Sequence, residues 1–246
     1  MKTDVTQGHV VLSFNDSLSQ LRGMVLEMGE LVVEQIKNAV KSLLEGDQAL
    51  AHQVIERDRE VDRFDLMADE AVMRVIATRA PVGIDLRLVH SLSRISLDLE
   101  RAGDEAKKIA KCTGRVLRDA GTVPGKMMLR DVHKMTELAC CMLESSLDAV
   151  AKNDVECAIK IIQDDPTLDQ EFDAGVRYLS TYMIEDPASI TMVLNIIFIL
   201  KALERIGDHA KNICESVIFV ARGRDIRHPK SQESSLDELL QSRDGS

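Results

Sequence analysis

The chain has 246 residues and a formal net charge of -10; 45% of its residues are apolar and 3% aromatic, with no Trp, 13 Gly and 5 Pro. An acidic surface repels nucleic-acid phosphates and anionic lipid, and so few rings leave bases little to stack on, which argues against nucleic acid or bare membrane as the main partner. Scarce Gly and Pro disfavour turn-rich β architectures, whereas Leu, Ile, Val, Ala and Met pack helix against helix readily.

The N-terminus, MKTDVTQGHV, lacks an apolar signal core, and the longest apolar stretch, Ile190 to Leu200, is shorter than the roughly 20 residues a membrane helix needs. Five cysteines (Cys112, Cys140, Cys141, Cys157, Cys214) form no CxxC pair and read as free thiols in a reducing compartment. The expectation is a cytoplasmic protein.

Apolar residues at three- and four-residue steps (Leu21, Val25, Met28, Val32, Ile36, Ala39, Leu43) predict a first helix from about Val10 to Leu44. Gly46 ends it. Asp47 can cap a second helix, to about Ala77, by accepting free N–H groups of the first turn. Pro81 and Gly83 break the chain, and a third helix runs from about Ile84 to Asp119. Gly121, Pro124 and Gly125 mark the clearest boundary. A fourth helix follows from about Lys126 to Lys152. Asn153–Asp154 caps a fifth that reaches about Glu185. Pro187 sits where a sixth begins, running from about Ala188 to Ala221. This divides the chain into a three-helix bundle at 1–120, a linker at 121–125, a second bundle at 126–222 and a polar, mobile tail at 223–246.

The halves match in sequence as well as in helix count. Glu100-Arg-Ala-Gly-Asp-Glu-Ala-Lys-Lys-Ile-Ala aligns with Glu204-Arg-Ile-Gly-Asp-His-Ala-Lys-Asn-Ile-Cys, seven of eleven identical at an offset of 104. Met28, Glu30, Leu31, Asp47, Asp58 and Asp62 match Met135, Glu137, Leu138, Asp154, Asp165 and Asp169 at an offset of 107. A fixed period outranks local propensity as a fold signal, so the expected fold is all-α: six long helices as two tandem, pseudo-repeated three-helix bundles.

Each half carries two acidic i,i+4 pairs: Asp58/Asp62 with Glu100/Asp104, and Asp165/Asp169 with Glu204/Asp208. That spacing puts both carboxylates on one helix face, and antiparallel neighbouring helices bring four together. Random placement of 41 acidic residues among 246 gives roughly seven such pairs, so a lone pair is a solvated face. Recurrence at the same repeat position on two helices points instead to metal binding. All-carboxylate sites suit Mg, Ca, Mn or ferric iron. Gly103 and Gly207 permit close approach of a neighbouring helix or an ion cluster. Asn212 and Glu215 extend the second set where the first half has Lys108 and Lys111, so the second site is expected to be the richer in ligands.

His209, about 100° round the helix from Asp208, reads as a surface residue. The six His residues form no HExxH or ExxH pattern. Asp164-Asp165-x-x-x-Asp169 has only a superficial likeness to isoprenoid-synthase motifs. No P-loop, GxSxG or Cys/His nucleophile signature occurs, so the chain is not expected to be an enzyme. Arg222, Arg224, Arg227 and Lys230 read as a helix C-terminus complementing its dipole, with an anion site as the alternative.

Leu203-Glu-Arg-Ile-Gly-Asp-His-Ala-Lys-Asn-Ile-Cys-Glu215 and its first-half counterpart, with Asp58/Asp62 and Asp165/Asp169, closely resemble the PhoU family over about residues 10–224. The resemblance implies two three-helix bundles, each with an E(D)xxxD-lined surface holding iron clusters or other metals such as Zn, Mn or Mg. It also implies a cytoplasmic negative regulator of phosphate-starvation signalling, in contact with a phosphate-sensing histidine kinase and the ATPase subunit of a phosphate ABC transporter. The expected assembly is a homodimer that reaches the membrane only through its partners. Two other functions compete with this one: a metal-dependent phosphoester hydrolase and a metal-free structural helical dimer. Lys108 and Lys111 depart from the pattern in the first half.

Overall fold

The computed structural model describes residues 5–226 apart from 122 and 224. Six helices follow in order: α1 (Val5–Glu45), α2 (Gln48–Arg79), α3 (Gly83–Ala120), α4 (Arg130–Lys152), α5 (Val155–Glu185) and α6 (Ile190–Arg222). No strand occurs among the described residues. The seven apolar positions predicted for the first helix are all buried, and Met28 and its repeat counterpart Met135 are fully so. Removing each of the larger side chains, all but Ala39, from water contributes about 1.5–3 kcal/mol, which the helical spacing collects along one stripe.

The repeat is legible in the connections. Gly46 and Asn153, equivalent at an offset of 107, end α1 and α4 in the left-handed region at φ 71 and 52. The next residue caps the following helix in each half. Asp47 accepts from the Leu50 N–H at 2.9 Å; Asp154 accepts from Glu156 and Cys157, both at 3.0 Å.

Within each half, the second and third helices are antiparallel: Ser96 and Lys107 of α3 meet Asp65 and Asp58 of α2, and Lys201 and Lys211 of α6 meet Phe172 and Asp165 of α5. The halves meet along α1–α4 and, most extensively, α3–α6. His90 packs on Phe219, Asp98 bonds to Asn212, and Glu105 pairs with Arg205. The order is opposite along the two helices, so α3 and α6 are antiparallel too. The two bundles thus share one continuous apolar core.

Local departures from expectation have physical causes. The fourth helix starts at Arg130 rather than near Lys126. Residues 126–129 form turns in which Met128 and Leu129 donate to the Gly125 carbonyl, and both side chains are buried. A single helical stripe could not bury these neighbours so directly, and no residue before Arg130 supplies a side-chain cap. After Pro187 comes one 3-10 turn, Pro187–Ser189, capped by Asp186, and α6 begins at Ile190. α5 runs through Pro166, which lacks the N–H for the Ile162 carbonyl; the residue is exposed, and packing of α5 on its inner face holds the helix together. Ile226, at the head of the expected tail, is buried in the core. Arg224 and residues 227–246, with Arg227 and Lys230, lie outside the described residues.

Candidate metal-binding carboxylate clusters

A close helix approach at a glycine positions each cluster. A Cβ on Gly207 would lie 2.3 Å from a Leu168 methyl, and one on Gly103 would lie 3.0 Å from Val61. Val61 and Leu168 are themselves repeat equivalents. The glycines therefore serve helix approach: α2 lies tight on α3, and α5 on α6, with the carboxylates at the rim of each contact.

In the first half, Asp58, Asp62, Glu100 and Asp104 come within electrostatic reach of one another. Asp165, Asp169, Glu204 and Asp208 do the same in the second. Burial pushes Asp58 upward from the ordinary carboxylate range, and the Lys107 ammonium opposes it. Glu100 is raised by burial and by Asp104, Asp65 and Asp62. Asp169 and Asp208 are raised by burial and then by their carboxylate neighbours. Each cluster thus carries more negative charge than its surroundings neutralise.

Two lysines that the sequence analysis left without a role complete the clusters. Lys107 pairs with Asp58, and Lys211 with Asp165 at 2.7 Å. Both aspartates are deeply buried, with side chains 5% and 6% exposed. Burial lowers the Lys211 pKa, but its bond to Asp165 and the field of Asp165, Glu215 and Asp208 carry it above the ordinary lysine value. The signal was in the sequence: Lys107 and Lys211 are among the seven identities of the aligned segments. Among the described residues, no three carboxylate, imidazole or thiol groups converge tightly enough to hold one ion as they stand. The chemistry of the donor set nonetheless fits a hard cation, and one oxygen of Glu204, Oε2, is buried without a hydrogen-bond partner.

The two halves differ in the charges that surround their carboxylates. Asp65 joins the first cluster, acting on Glu100, and is held by Ser96 at 2.9 Å. Its counterpart in the second half is Phe172, with the Lys201 ammonium 5.2 Å from the ring centre. Lys201 also binds Glu204 at 2.6 Å. The second cluster therefore faces two lysines, whereas among the described residues the first faces one, Lys107. Lys108 instead pairs with Glu105 on the α6 side, and Lys111 lines a groove beside α2.

Asn212 is drawn to the α3–α6 seam rather than to the α5 carboxylates, and Glu215 lines the adjoining cleft within electrostatic reach of Lys211. The amide of Asn212 donates to Asp98 at 3.0 Å, and Glu215 is buried in the wall of a cleft of about 730 Å³. His209 is not a surface residue. Its Nδ1 lies 3.0 Å from Asp98, and the side chain is 14% exposed. The face of α6 turned 100° from the carboxylates is the one that meets α3, which helical periodicity could not reveal.

The PhoU domain matches this chain twice, at residues 25–113 and 132–217. The chain belongs to the PhoU family. A PhoU homolog of Pseudomonas aeruginosa, described as a phosphate-specific transport system accessory protein, is 41% identical over 89% of this chain and 90% of its own length. The PhoU accessory protein of Escherichia coli is 37% identical over 96% and 95%. The crystal structure of PhoU from Pseudomonas aeruginosa superposes with a TM-score of 0.81 at 42% identity, covering 86% of this chain and all of that one. The phosphate transport system regulatory protein PhoU of Streptococcus pneumoniae gives 0.79 at 28% identity, covering 87% and 100%. The six-helix, no-strand architecture is therefore that of solved PhoU proteins.

Lys211→Met leaves Asp165 buried without its cation and is expected to destabilise the protein by on the order of 3 kcal/mol at pH 7. The double change Lys211→Met/Asp165→Asn is expected to cost less than the single one. Urea unfolding of both variants checks this.

The raised carboxyls predict a pH dependence of definite sign. A carboxyl whose folded pKa lies above its unfolded value favours folding below the unfolded value, and loses that advantage as pH rises through the folded value. With chelator present, Asp169→Asn/Asp208→Asn should raise the melting temperature at pH 7. The difference from wild type should shrink as pH falls toward about 4, where the native carboxyls take up protons. Thermal melts across that range read it directly; a gap that widened on acidification would contradict it.

Proposed function

We propose that this protein is a cytoplasmic, metal-binding regulator of phosphate uptake and a negative regulator of phosphate-starvation signalling, acting by contact rather than catalysis. The observation that carries the reading is membership of the PhoU family over both halves, whose relatives are described as accessory or regulatory proteins of phosphate transport. The partners in this reading are a phosphate-sensing histidine kinase and the ATPase subunit of a phosphate ABC transporter, met by a homodimer. No helix among the described residues is long and apolar enough to cross a membrane, which accords with reaching the bilayer through partners.

The carboxylate clusters supply the metal sites. Asp58, Asp62, Glu100 and Asp104, joined by Asp65, would hold one ion or cluster; Asp165, Asp169, Glu204 and Asp208 would hold the other. A bound cation offsets the mutual repulsion that keeps these carboxyls raised, and so stiffens the α2–α3 and α5–α6 faces. Iron fits the donor set, as do Mn and Mg; Zn, which favours nitrogen and sulfur, fits it less well. Binding must displace or reorient Lys107 and Lys211, so the first cluster, with one lysine and an extra aspartate, is the tighter. A hydrolase would need a phosphate clamp and a base beside the metal, and the lysines nearest the carboxylates are already engaged by them.

Calorimetric titration with Mn is expected to give two classes of site. Asp58→Asn/Asp62→Asn/Glu100→Gln/Asp104→Asn should remove the tighter class, and the matching second-half set the weaker. Unchanged isotherms would reduce the clusters to solvated faces.

A regulator that biases its partners must bind their signalling states unequally, since a ligand shifts an equilibrium only by its differential affinity. Deleting the gene is expected to leave a phosphate-starvation reporter switched on in rich phosphate. Normal repression in the deletion strain would remove the regulatory reading.

A further inference from the structure

One surface lies apart from both carboxylate clusters. Between the first turns of α2 and the last turns of α3 runs a groove of about 490 Å³. Its floor is small and apolar: Ala51, Ala110 and Gly114, with Ile55 at the side. Its rim carries Lys111, Arg115 and Arg118, and no acidic residue lines it. Among the described residues none of these three cations has an ion-pair partner. In a chain of net charge -10, three uncompensated cations beside one groove form a local field opposite to that of the whole molecule.

The bland explanation is that basic residues near the end of α3 complement its dipole. That effect is confined to the last turn. It covers Arg118, which is in the last turn, and leaves Lys111 and Arg115 further back unexplained.

Comparison of the halves shows that the groove is a particular feature of the first. At the repeat-equivalent positions, Gly114 becomes Ile218, His52 becomes Ile159, Lys111 becomes Glu215 and Arg115 becomes Phe219. Ile218, Ile159 and Glu215 are all buried. In the first half the same place is left open: a Cβ on Gly114 would meet nothing within 4 Å. A glycine in the middle of a helix costs roughly 1 kcal/mol relative to alanine, and here it is not repaid by close helix approach as at Gly103 and Gly207.

We propose that this groove docks an acidic helical segment of a protein partner. The three cations stand at i, i+4 and i+7, along about 10 Å of helix axis. That is the spacing of glutamates along one face of a helix laid against α3. A compact phosphate would be gripped at one point, whereas these cations are spread out. The small floor suits the close approach of a second helix. The groove neither contains nor requires a metal ion, so failure here would leave the regulatory reading of the protein standing.

The test uses the full chain and a fluorescently labelled synthetic helix with glutamates at i, i+4 and i+7, followed by anisotropy. Wild type is expected to bind it, more weakly as salt is raised. Lys111→Gln/Arg115→Gln/Arg118→Gln should weaken binding at least tenfold with helicity unchanged. Gly114→Leu fills the open floor, leaves every charge in place and favours the helix; it should also weaken binding at least tenfold. Binding unaffected by Gly114→Leu would mean diffuse surface charge and overturn the proposal, as would no binding by wild type. Tighter binding of pyrophosphate or phosphatidylglycerol vesicles at the same three cations would reassign the groove to compact phosphates or to lipid. Dissociation of a dimer by the triple substitution, read by sedimentation, would reassign it to a second copy of the chain. Either result overturns the docking of an acidic partner segment.

Discussion

A carboxylate taken out of water at a helix contact needs a cation within reach, and in each half of this protein one lysine meets that need. Asp58 on α2 is held by Lys107 on α3; Asp165 on α5 is held by Lys211 on α6. The pair forms only if the helices lie close, and Gly103 and Gly207 remove the side chains that would keep Val61 and Leu168 away. Helix approach, ion pair and carboxylate cluster are one arrangement built twice. Losing one partner of such a pair leaves an uncompensated charge, which costs far more than the intact pair contributes. The acidic faces therefore cannot be treated as decoration on a finished fold, because their innermost members are part of the helix packing.

Around that shared frame the halves have diverged. The first cluster gains Asp65, where the second has Phe172 under Lys201. The first half opens a cationic groove at Gly114; the second fills the same place with Ile218. The seam between halves is uneven too. Glu105 and His209 are repeat equivalents, yet Glu105 takes Arg205 and Lys108 while His209 takes Asp98. Two units with one backbone plan thus present different charges to solvent, as expected of a protein whose proposed partners are not alike.

Periodicity, caps and the internal repeat were enough to read six helices and two bundles, because each is a local or near-local signal. Asp47 and Asp154 act as the caps their position suggested, and in each half the paired carboxyl groups act electrostatically on one another, with Asp65 added in the first. Contacts between helices redirect several of the other side chains. His209 and Asn212 were assigned by the helix face they share with, or turn from, Asp208, but that face meets α3 of the other half. Lys108 and Lys111 were counted against the first cluster, although both turn away from it. Asp65 was overlooked because it has no acidic equivalent in the second half.

The sequence by itself determined the helices, their duplication, the family and the helical spacing of the acidic pairs. All of these follow from spacings along a chain whose helical geometry is known in advance. Only the tertiary structure decided which cation neutralises which carboxylate, which half is the more negative, and where a groove is left open. Those depend on how α3 lies against α6 and α2 against α3. Side chains distant in sequence then share one electrostatic environment, and no periodicity within a single helix specifies its neighbours.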